Sequence, residues 1–212
     1  MEPMIFKTGT TTVGMVAKEG IILAADKKMT LGGQIVSSKK MEKVIILNED
    51  LALTVAGNVS DVQLLVKLIK AQVKLEELRK GKKMKVREVA NLLASLVYNN
   101  IRRPSMIPGI TGFIIGGRDK EGFHLFQLGI DGSVTLYDDY VTDGSGMMFA
   151  TGVLEAGYEL GLSVEEGVKL AIKAVTASME RDTASGSGID VVTITKDGTR
   201  KVVAKLLEMK LV

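Results

Sequence analysis

Apolar residues along this chain switch from strand-like to helical spacing and back, and then do so a second time. Residues 10–17 (TTTVGMVA) and 21–26 (IILAAD) are short β-rich runs, with Lys18-Glu19-Gly20 between them as a hairpin signal. Runs at 43–47 and 51–56, split by Asn48-Glu49-Asp50, predict two more strands. Val62, Leu65, Val66, Ile69 and Val73 then keep the spacing of one helix face, ending near Gly81. Val86, Val89, Ala90, Leu93, Leu96 and Val97 predict a second helix, stopped before Pro104. Strands return at 111–116, 123–128 and 133–137, with Asp131-Gly132 as a turn. Helices are predicted at about 147–159 and 164–180, the latter opened by a capping box of Ser163 and Glu166. Strands at 189–195 and 200–204 flank the turn Asp197-Gly198. Segregated blocks of strands and helices favour an α+β fold over a parallel βαβ sheet. Two sheets stacked face to face, with a helix pair on each outer side, would bury every apolar face.

A length of 212 residues allows a sizeable core, and no linker or internal repeat divides the chain. Residues 1–9 have no pattern, so the expected organisation is a short leader followed by a single domain over 10–212. With 46% hydrophobic and 25% charged residues the chain matches globular averages, which argues against disorder. A net charge of +3 is too small to argue for nucleic acid. The basic run Lys80, Lys82, Lys83, Lys85, Arg87 reads as a solvated loop and helix start, since no aromatic residues interleave with it. Met1 to Gly9 has no apolar core of a secretory signal, and no apolar run approaches 18 residues, so no membrane partner is expected.

The residue inventory narrows the chemistry. There is no cysteine, which removes disulfides, thiolate zinc sites and a cysteine nucleophile, and suits a reducing compartment. His124, the one histidine, lies inside a predicted strand, where a structural or surface role is the expectation. Neither GxxxxGK[ST] nor GxGxxG occurs, so neither phosphate cradle is present. What remains is a hydroxyl nucleophile whose base is not histidine. An α-amino group, with an unperturbed pKa of about 7.7–8.0, can be that base. Gly9-Thr10 meets the demands of such chemistry: a Thr at the foot of the first core strand, a short leader, and a small residue before the cut. Strands often begin with Thr, so these residues permit the chemistry without assigning it.

Longer wording carries a resemblance. Gly9-Thr10-Thr11-Thr12-Val13-Gly14 and Gly20 to Thr30 (GIILAADKKMT) are followed by Lys43-Val44, Ala56-Gly57 and Gly116-Gly117-Arg118-Asp119. Gly144-Ser145-Gly146, Gly152-Val153-Leu154-Glu155 and Arg181 to Gly186 (RDTASG) complete the series. In that order, from Thr10 to about Ile194, the sequence resembles the β-type subunits of the 20S proteasome, most closely the archaeal ones. The resemblance implies the four-layer αββα sandwich of the N-terminal nucleophile hydrolases. It also implies a threonine endopeptidase, made as a zymogen whose residues 1–9 are removed by autocatalytic cleavage between Gly9 and Thr10.

Roles carried over by the resemblance fall on named positions. Thr10 is the expected nucleophile, with its freed amine moving the proton. Lys43 supplies a positive charge beside it and Asp26 holds Lys43. Ser145, Asp182 and Ser185 form the hydrogen-bond network around the amine, and the Gly57 N–H forms the oxyanion hole. The segment from Thr30 to Lys43 is one residue longer than usual in the family. Counting forward from Thr30 puts Glu42 in the lysine position, whereas counting back from Ala56-Gly57 puts Lys43 there. Strand register favours the second count over Lys39 or Lys40, because the loop at Gly32-Gly33 absorbs an insertion more easily. Met29, Thr30, Met41, Val55 and Val59 are the expected substrate-binding positions. The apolar ones among them imply cleavage after large hydrophobic residues. The implied partners are a homo- or hetero-heptameric β ring, stacked on a second one, together with rings of α-type subunits. A separate regulatory ATPase and unfolded protein or peptide substrates complete the set, in the cytoplasm, with no metal or other cofactor. The alternative expectation is a catalytically silent β-type ring subunit that serves assembly.

Overall fold

The computed structural model describes residues 9–31 and 35–207, so the rest of the expected leader and the insertion expected at Gly32-Gly33 lie outside the described residues. In chain order the elements begin with β1 (Thr12–Ala17), β2 (Gly20–Asp26), β3 (Met29–Leu31), β4 (Ile35–Ser38), β5 (Val44–Asn48) and β6 (Leu51–Gly57). Helices α1 (Val59–Lys80) and α2 (Val86–Ile101) follow, then β7 (Thr111–Asp119), β8 (Gly122–Leu128), β9 (Val134–Tyr137) and β10 (Tyr140–Asp143). The chain continues through α3 (Met147–Gly157), α4 (Val164–Arg181), β11 (Gly188–Thr195) and β12 (Gly198–Leu206). Two antiparallel five-stranded sheets result, ordered β10-β1-β2-β11-β12 and β5-β6-β7-β8-β9, with β3-β4 as a separate small hairpin. The α+β class and the αββα layering expected from the blocks of periodicity are what the chain adopts.

Three apolar layers hold it. Val66, Ile69, Leu93, Phe113 and Phe126 join α1 and α2 to the sheet of β5–β9. Met15, Ile22, Leu154, Ala171 and Val175 join α3 and α4 to the other sheet. Ile21, Leu23, Ile114, Leu125, Val192 and Ile194 fill the space between the sheets. Strand β2 supplies both of its sides: Ile21 and Leu23 point between the sheets, while Ile22 points to the helices. That double burial explains its unbroken apolar wording, because a central strand covered on both faces has no solvent side to mark with polar residues. Each such large side chain contributes about 1.5–3 kcal/mol when fully buried. Gly14 and Gly116 let the sheets approach: a Cβ there would fall 2.7 Å from Ile114 Cγ2 and 2.6 Å from Ile21 Cγ2.

Local punctuation follows the sequence closely. Gly81 ends α1 in the left-handed region (φ 64°), where glycine carries no Cβ penalty. Ser163 Oγ accepts from Glu166 N at 3.3 Å, and the Glu166 carboxylate accepts from Ser163 N at 2.9 Å. The sequence did not reveal β10 or the β3–β4 hairpin. Strand β10 is four residues long and pairs with β1, Thr12 opposite Asp143, from far away in the chain. Its place is decided by tertiary contact rather than by any local period.

Asp143 closes β10 and turns its carboxylate towards the other sheet, where Gly112 of β7 leaves space for it: a Cβ on Gly112 would lie 2.2 Å from Asp143 Oδ2. Burial pushes this carboxyl above the usual carboxylate range, and the Gly144 N–H donated to Oδ1 at 2.8 Å offsets it only in part. Because the folded value is raised above the unfolded one (about 3.9), the associated stability is full in acid. It is lost as pH rises through the folded value. Asp143→Asn, which cannot ionise, should therefore raise the urea midpoint of the isolated chain at pH 7.5 and lose that advantage at pH 4.5. A difference independent of pH would mean that folding leaves the proton affinity of this carboxyl unchanged.

Candidate active site

Antiparallel pairing brings four strand ends together. Thr12 pairs with Ala25, so the start of β1 lies beside the end of β2. Val44 pairs with Thr54, so the start of β5 lies beside the end of β6 on the facing sheet. Thr10 precedes β1, Asp26 ends β2, Lys43 precedes β5 and Gly57 ends β6. The expected residues from distant parts of the sequence thus share one cleft. A fifth edge comes from the turns around Ser145, between β10 and α3, and around Asp182 to Ser185, between α4 and β11.

Asp26 is the centre of this arrangement and is fully buried. Its Oδ1 accepts from Thr11 N and from Lys43 Nζ, both at 2.9 Å. Its Oδ2 accepts from Lys28 N at 3.0 Å and Gly186 N at 2.9 Å. Lys43 is 4% exposed. Burial holds its ammonium below the ordinary lysine range, while Asp26 pulls in the opposite direction. Of the residues weighed for this position, Lys43 is the one at Asp26. Glu42 instead pairs with Lys201 at 2.7 Å, and Lys39 and Lys40 are exposed.

Two donors converge on one carbonyl. Lys43 Nζ donates to Gly9 O at 3.0 Å, and Thr10 Oγ1 donates to the same oxygen at 2.6 Å. Gly9 is pressed against Ala184, whose Cβ would lie 1.9 Å from a Cβ at position 9. Only glycine fits there without moving the Ala184 backbone.

On the other side of Thr10, its N–H donates to Ser145 Oγ at 3.2 Å. Ser145 Oγ donates to Asp182 Oδ2 at 2.5 Å, and Ser185 Oγ donates to the same oxygen at 2.6 Å. Thr11 Oγ1 lies 2.7 Å from Ser185 Oγ. Since the Ser185 proton is committed to Asp182, Thr11 is the donor in that last pair. The hydroxyl protons of Thr11, Ser185 and Ser145 therefore all run towards Asp182, leaving Ser145 Oγ free to accept from Thr10 N. Thr11 was missed in the sequence because its side chain, wholly buried, meets Ser185 only through the fold.

The cleft beside Thr10 is lined by every expected substrate-binding position: Met29, Thr30, Met41, Val55 and Val59. Lys28 and Val62, not singled out in the sequence, also line it. Gly57 borders it with φ 114°, and a Cβ there would come within 2.2 Å of Ile110 O. Among the described residues one trio has metal-ligand character, Asp119, Glu121 and His124. It lies at the β7–β8 turn, at the opposite end of the strands. Asp119 there is occupied by Val86 N and Glu121 N, and Glu121 by Lys85. No helix among the described residues is long and apolar enough to cross a membrane.

The family model described as proteasome subunit matches residues 6–194, ending at the penultimate residue of β11. This chain belongs to the proteasome subunit family. It is 42% identical over 193 residues to a proteasome subunit beta of Methanocaldococcus fervens, covering 91% of this chain and 84% of the relative. It is 42% identical to proteasome subunit beta 2 of Pyrococcus abyssi, over 92% of this chain and 90% of that one. Proteasome subunit beta 2 of Pyrococcus furiosus matches at 40% over 203 residues, 96% and 95% of the two chains.

The buried ion pair at the centre of this family member's cleft has a measurable signature. Removing one partner of a buried pair costs about 3–5 kcal/mol. Lys43→Met should destabilise the isolated chain by about that much at pH 7.5, as read by urea unfolding. A loss of no more than about 1 kcal/mol would give the pair only the worth of a surface ion pair.

Proposed function

We propose that this chain is a catalytic β-type subunit of a 20S proteasome, a threonine endopeptidase made as a precursor and activated by its own Thr10. The observation that carries the reading is the convergence of the Thr10 hydroxyl and the Lys43 ammonium on the Gly9 carbonyl oxygen. Membership of the proteasome subunit family, and relatives named as proteasome subunit beta, support it.

In the processing step Thr10 Oγ1 adds to the Gly9 carbonyl carbon, and the charge that develops on the oxygen is held by Lys43. Collapse breaks the Gly9–Thr10 C–N bond. The nitrogen gains the proton that the hydroxyl lost, leaving Gly9 as an ester on Thr10. Water hydrolyses that ester, releasing residues 1–9 with a carboxylate and Thr10 with a free amine. While Gly9 remains attached, the nitrogen is an amide whose lone pair is delocalised and cannot serve as a base.

In the mature form the same oxygen attacks a substrate peptide carbonyl, and the amine takes its proton and passes it to the leaving nitrogen. Ser145, positioned by Asp182, accepts one amine N–H and so orients the lone pair towards Oγ1. Lys43, held by Asp26, disfavours the ammonium form of the amine by electrostatics. The Gly57 N–H receives the oxyanion, where one donor is worth about 2.7–4 kcal/mol. Water then releases the acyl group. Met29, Met41, Val55 and Val59 make the walls apolar, favouring large hydrophobic residues before the cut, and Thr30 lies beside the backbone of the bound peptide. The assembly is a seven-membered β ring stacked on a second and flanked by α-type rings, fed by a separate ATPase in the cytoplasm.

Intact-mass measurement after co-expression with an α-type partner should show loss of residues 1–9 and a new N-terminal Thr10, together with peptide hydrolysis. Thr10→Ala should keep the leader and abolish hydrolysis while leaving assembly intact. Persistence of the leader in assembled wild-type particles would instead make this a silent ring subunit.

Thr11→Val removes the hydroxyl that donates to Ser185 without changing side-chain volume much. Ser185, without that donor, binds Asp182 less strongly, and the less satisfied carboxylate should then favour the ammonium form of the Thr10 amine. The acidic limb of the rate–pH profile should move upward, with slower processing, and Thr11→Ser should restore both. An unmoved profile would reduce Thr11 to a packing residue.

A further inference from the structure

Strand β11 carries an acid on its inner face. Asp190 stands on the side it shares with Val192 and Ile194, which fill the space between the sheets, and it is fully buried. Its Oδ2 receives Lys27 Nζ at 2.5 Å, and Lys27 is 7% exposed. Lys201 Nζ lies 3.8 Å from the same oxygen and reaches on to Glu42 at 2.7 Å, while Oδ1 has no partner among the described residues. A buried ion pair is a weak source of stability, because desolvation offsets its attraction and an apolar pair of similar volume often does as well. What charge adds over apolar contact is a defined geometry: the Lys27 ammonium has one carboxylate oxygen to reach.

The main chain of Lys27 sits at the junction of the two halves of the cleft. Its N–H donates to Gly186 O at 3.1 Å and so holds the turn that carries Asp182 and Ser185. Its carbonyl accepts from Met41 N at 3.0 Å, two residues before Lys43. Residues 40–43 belong to no strand or helix, so this bond and that of Val55 N to Lys43 O at 2.9 Å place them. Glu42, between Met41 and Lys43, adds its tie to Lys201. The stretch upstream is the one that runs a residue longer than usual in the family, and the Met41–Lys27 bond separates that extra length from Lys43. Two consecutive residues thus serve the site differently, Asp26 through its carboxylate and Lys27 through its main chain.

We infer that Lys27, anchored by Asp190, is a positioning residue: it sets the separation between the Lys43 ammonium on one side of Thr10 and the Asp182–Ser185 turn on the other. This role rests on the threonine endopeptidase reading given above. Asp190 neutralises Lys27, so the pair acts on Thr10 through position rather than through net charge. The charges that bear on Lys43 are Asp26, Asp182 and Lys28, whose own Nζ donates to Thr183 O at 3.2 Å. Without its anchor Lys27 loosens its hold on both arms. Lys43 then opposes the ammonium form of the Thr10 amine less strongly, and nucleophile and base lose alignment.

The test compares assembled particles made by co-expressing full chains with the α-type partner: wild type, Lys27→Met, Lys27→Arg, and Lys27→Met combined with Asp190→Leu. In Lys27→Met, kcat for a peptide with a large hydrophobic residue before the cut should fall at least about tenfold with KM little changed, since a misplacement of about 1 Å costs on the order of 100-fold. The acidic limb of its rate–pH profile should move upward, and leader removal should slow. Lys27→Arg, which keeps the pair, should stay close to wild type in kcat and in the acidic limb. The double variant exchanges the pair for an apolar contact that preserves the fold, and it should show the same loss and the same shift. Should Lys27→Met fail to assemble, the double variant decides alone. A lower urea midpoint with kcat and acidic limb unmoved, or a folded double variant that works like wild type, makes the pair a structural contact. Either result overturns the positioning role and leaves the proteasome reading standing. A wild-type particle that neither loses its leader nor hydrolyses peptides overturns both.

Discussion

The carboxylate of Asp26 ties the cleft together. Its two oxygens take the Thr11 amide just before β1, the Lys28 amide two residues on, the Gly186 amide from the turn before β11, and the Lys43 ammonium from the opposite sheet. A buried carboxylate is costly unless its oxygens are satisfied, and here three of the four donors are backbone groups whose positions are set by sheet register. The charge on Lys43 is thereby held beside the Gly9–Thr10 bond even though burial disfavours it. Fold and site are coupled at this point: the same bonds that fix Lys43 also pin β1, β2 and the turn before β11.

Around that point the molecule is organised as a pair of sheets with a shared end. Gly14 and Gly116 bring the sheets close, and the shared apolar layer makes their relative placement stiff. The Ser145–Asp182–Ser185–Thr11 chain closes the other side of Thr10 through two helix-end turns. Asp182 caps α4, so the helix terminus delivers it, while Gly186, Ser187 and Gly188 hold the positive φ values that let the chain turn back into β11. Ser187, at φ 67°, is the one residue other than glycine with positive φ among the described residues, and it stands next to an Asp26 donor.

Much of the fold could be read from periodicity. The helices at α1, α2, α3 and α4 and the strands of both large sheets other than β10 announce themselves by spacing, turns and caps, because each has one face or two faces committed to a core. Strand β10 and the β3–β4 hairpin gave no such signal. One is a short edge held by β1, and the other stands apart from both large sheets. For the site, Thr10, Asp26, Lys43 and Gly57 were visible as wording that resembles a family, but their meeting was not. Thr11 and Lys28 went unnoticed because their roles lie in what they touch rather than in their type.

By itself the sequence determined the alternation of strand and helix blocks, the absence of cysteine and the lone histidine, and so the kind of nucleophile open to this chain. These follow from composition and local period, which need no partner. Only the tertiary structure decided that Lys43 rather than Glu42, Lys39 or Lys40 stands against Asp26, that Gly9 has no room for a side chain, and that Thr11 feeds Asp182. Such facts depend on contacts between residues up to 174 positions apart, as Thr11 and Ser185 are. Sheet register and the ends of antiparallel strands set those contacts, and no local pattern in the chain encodes them.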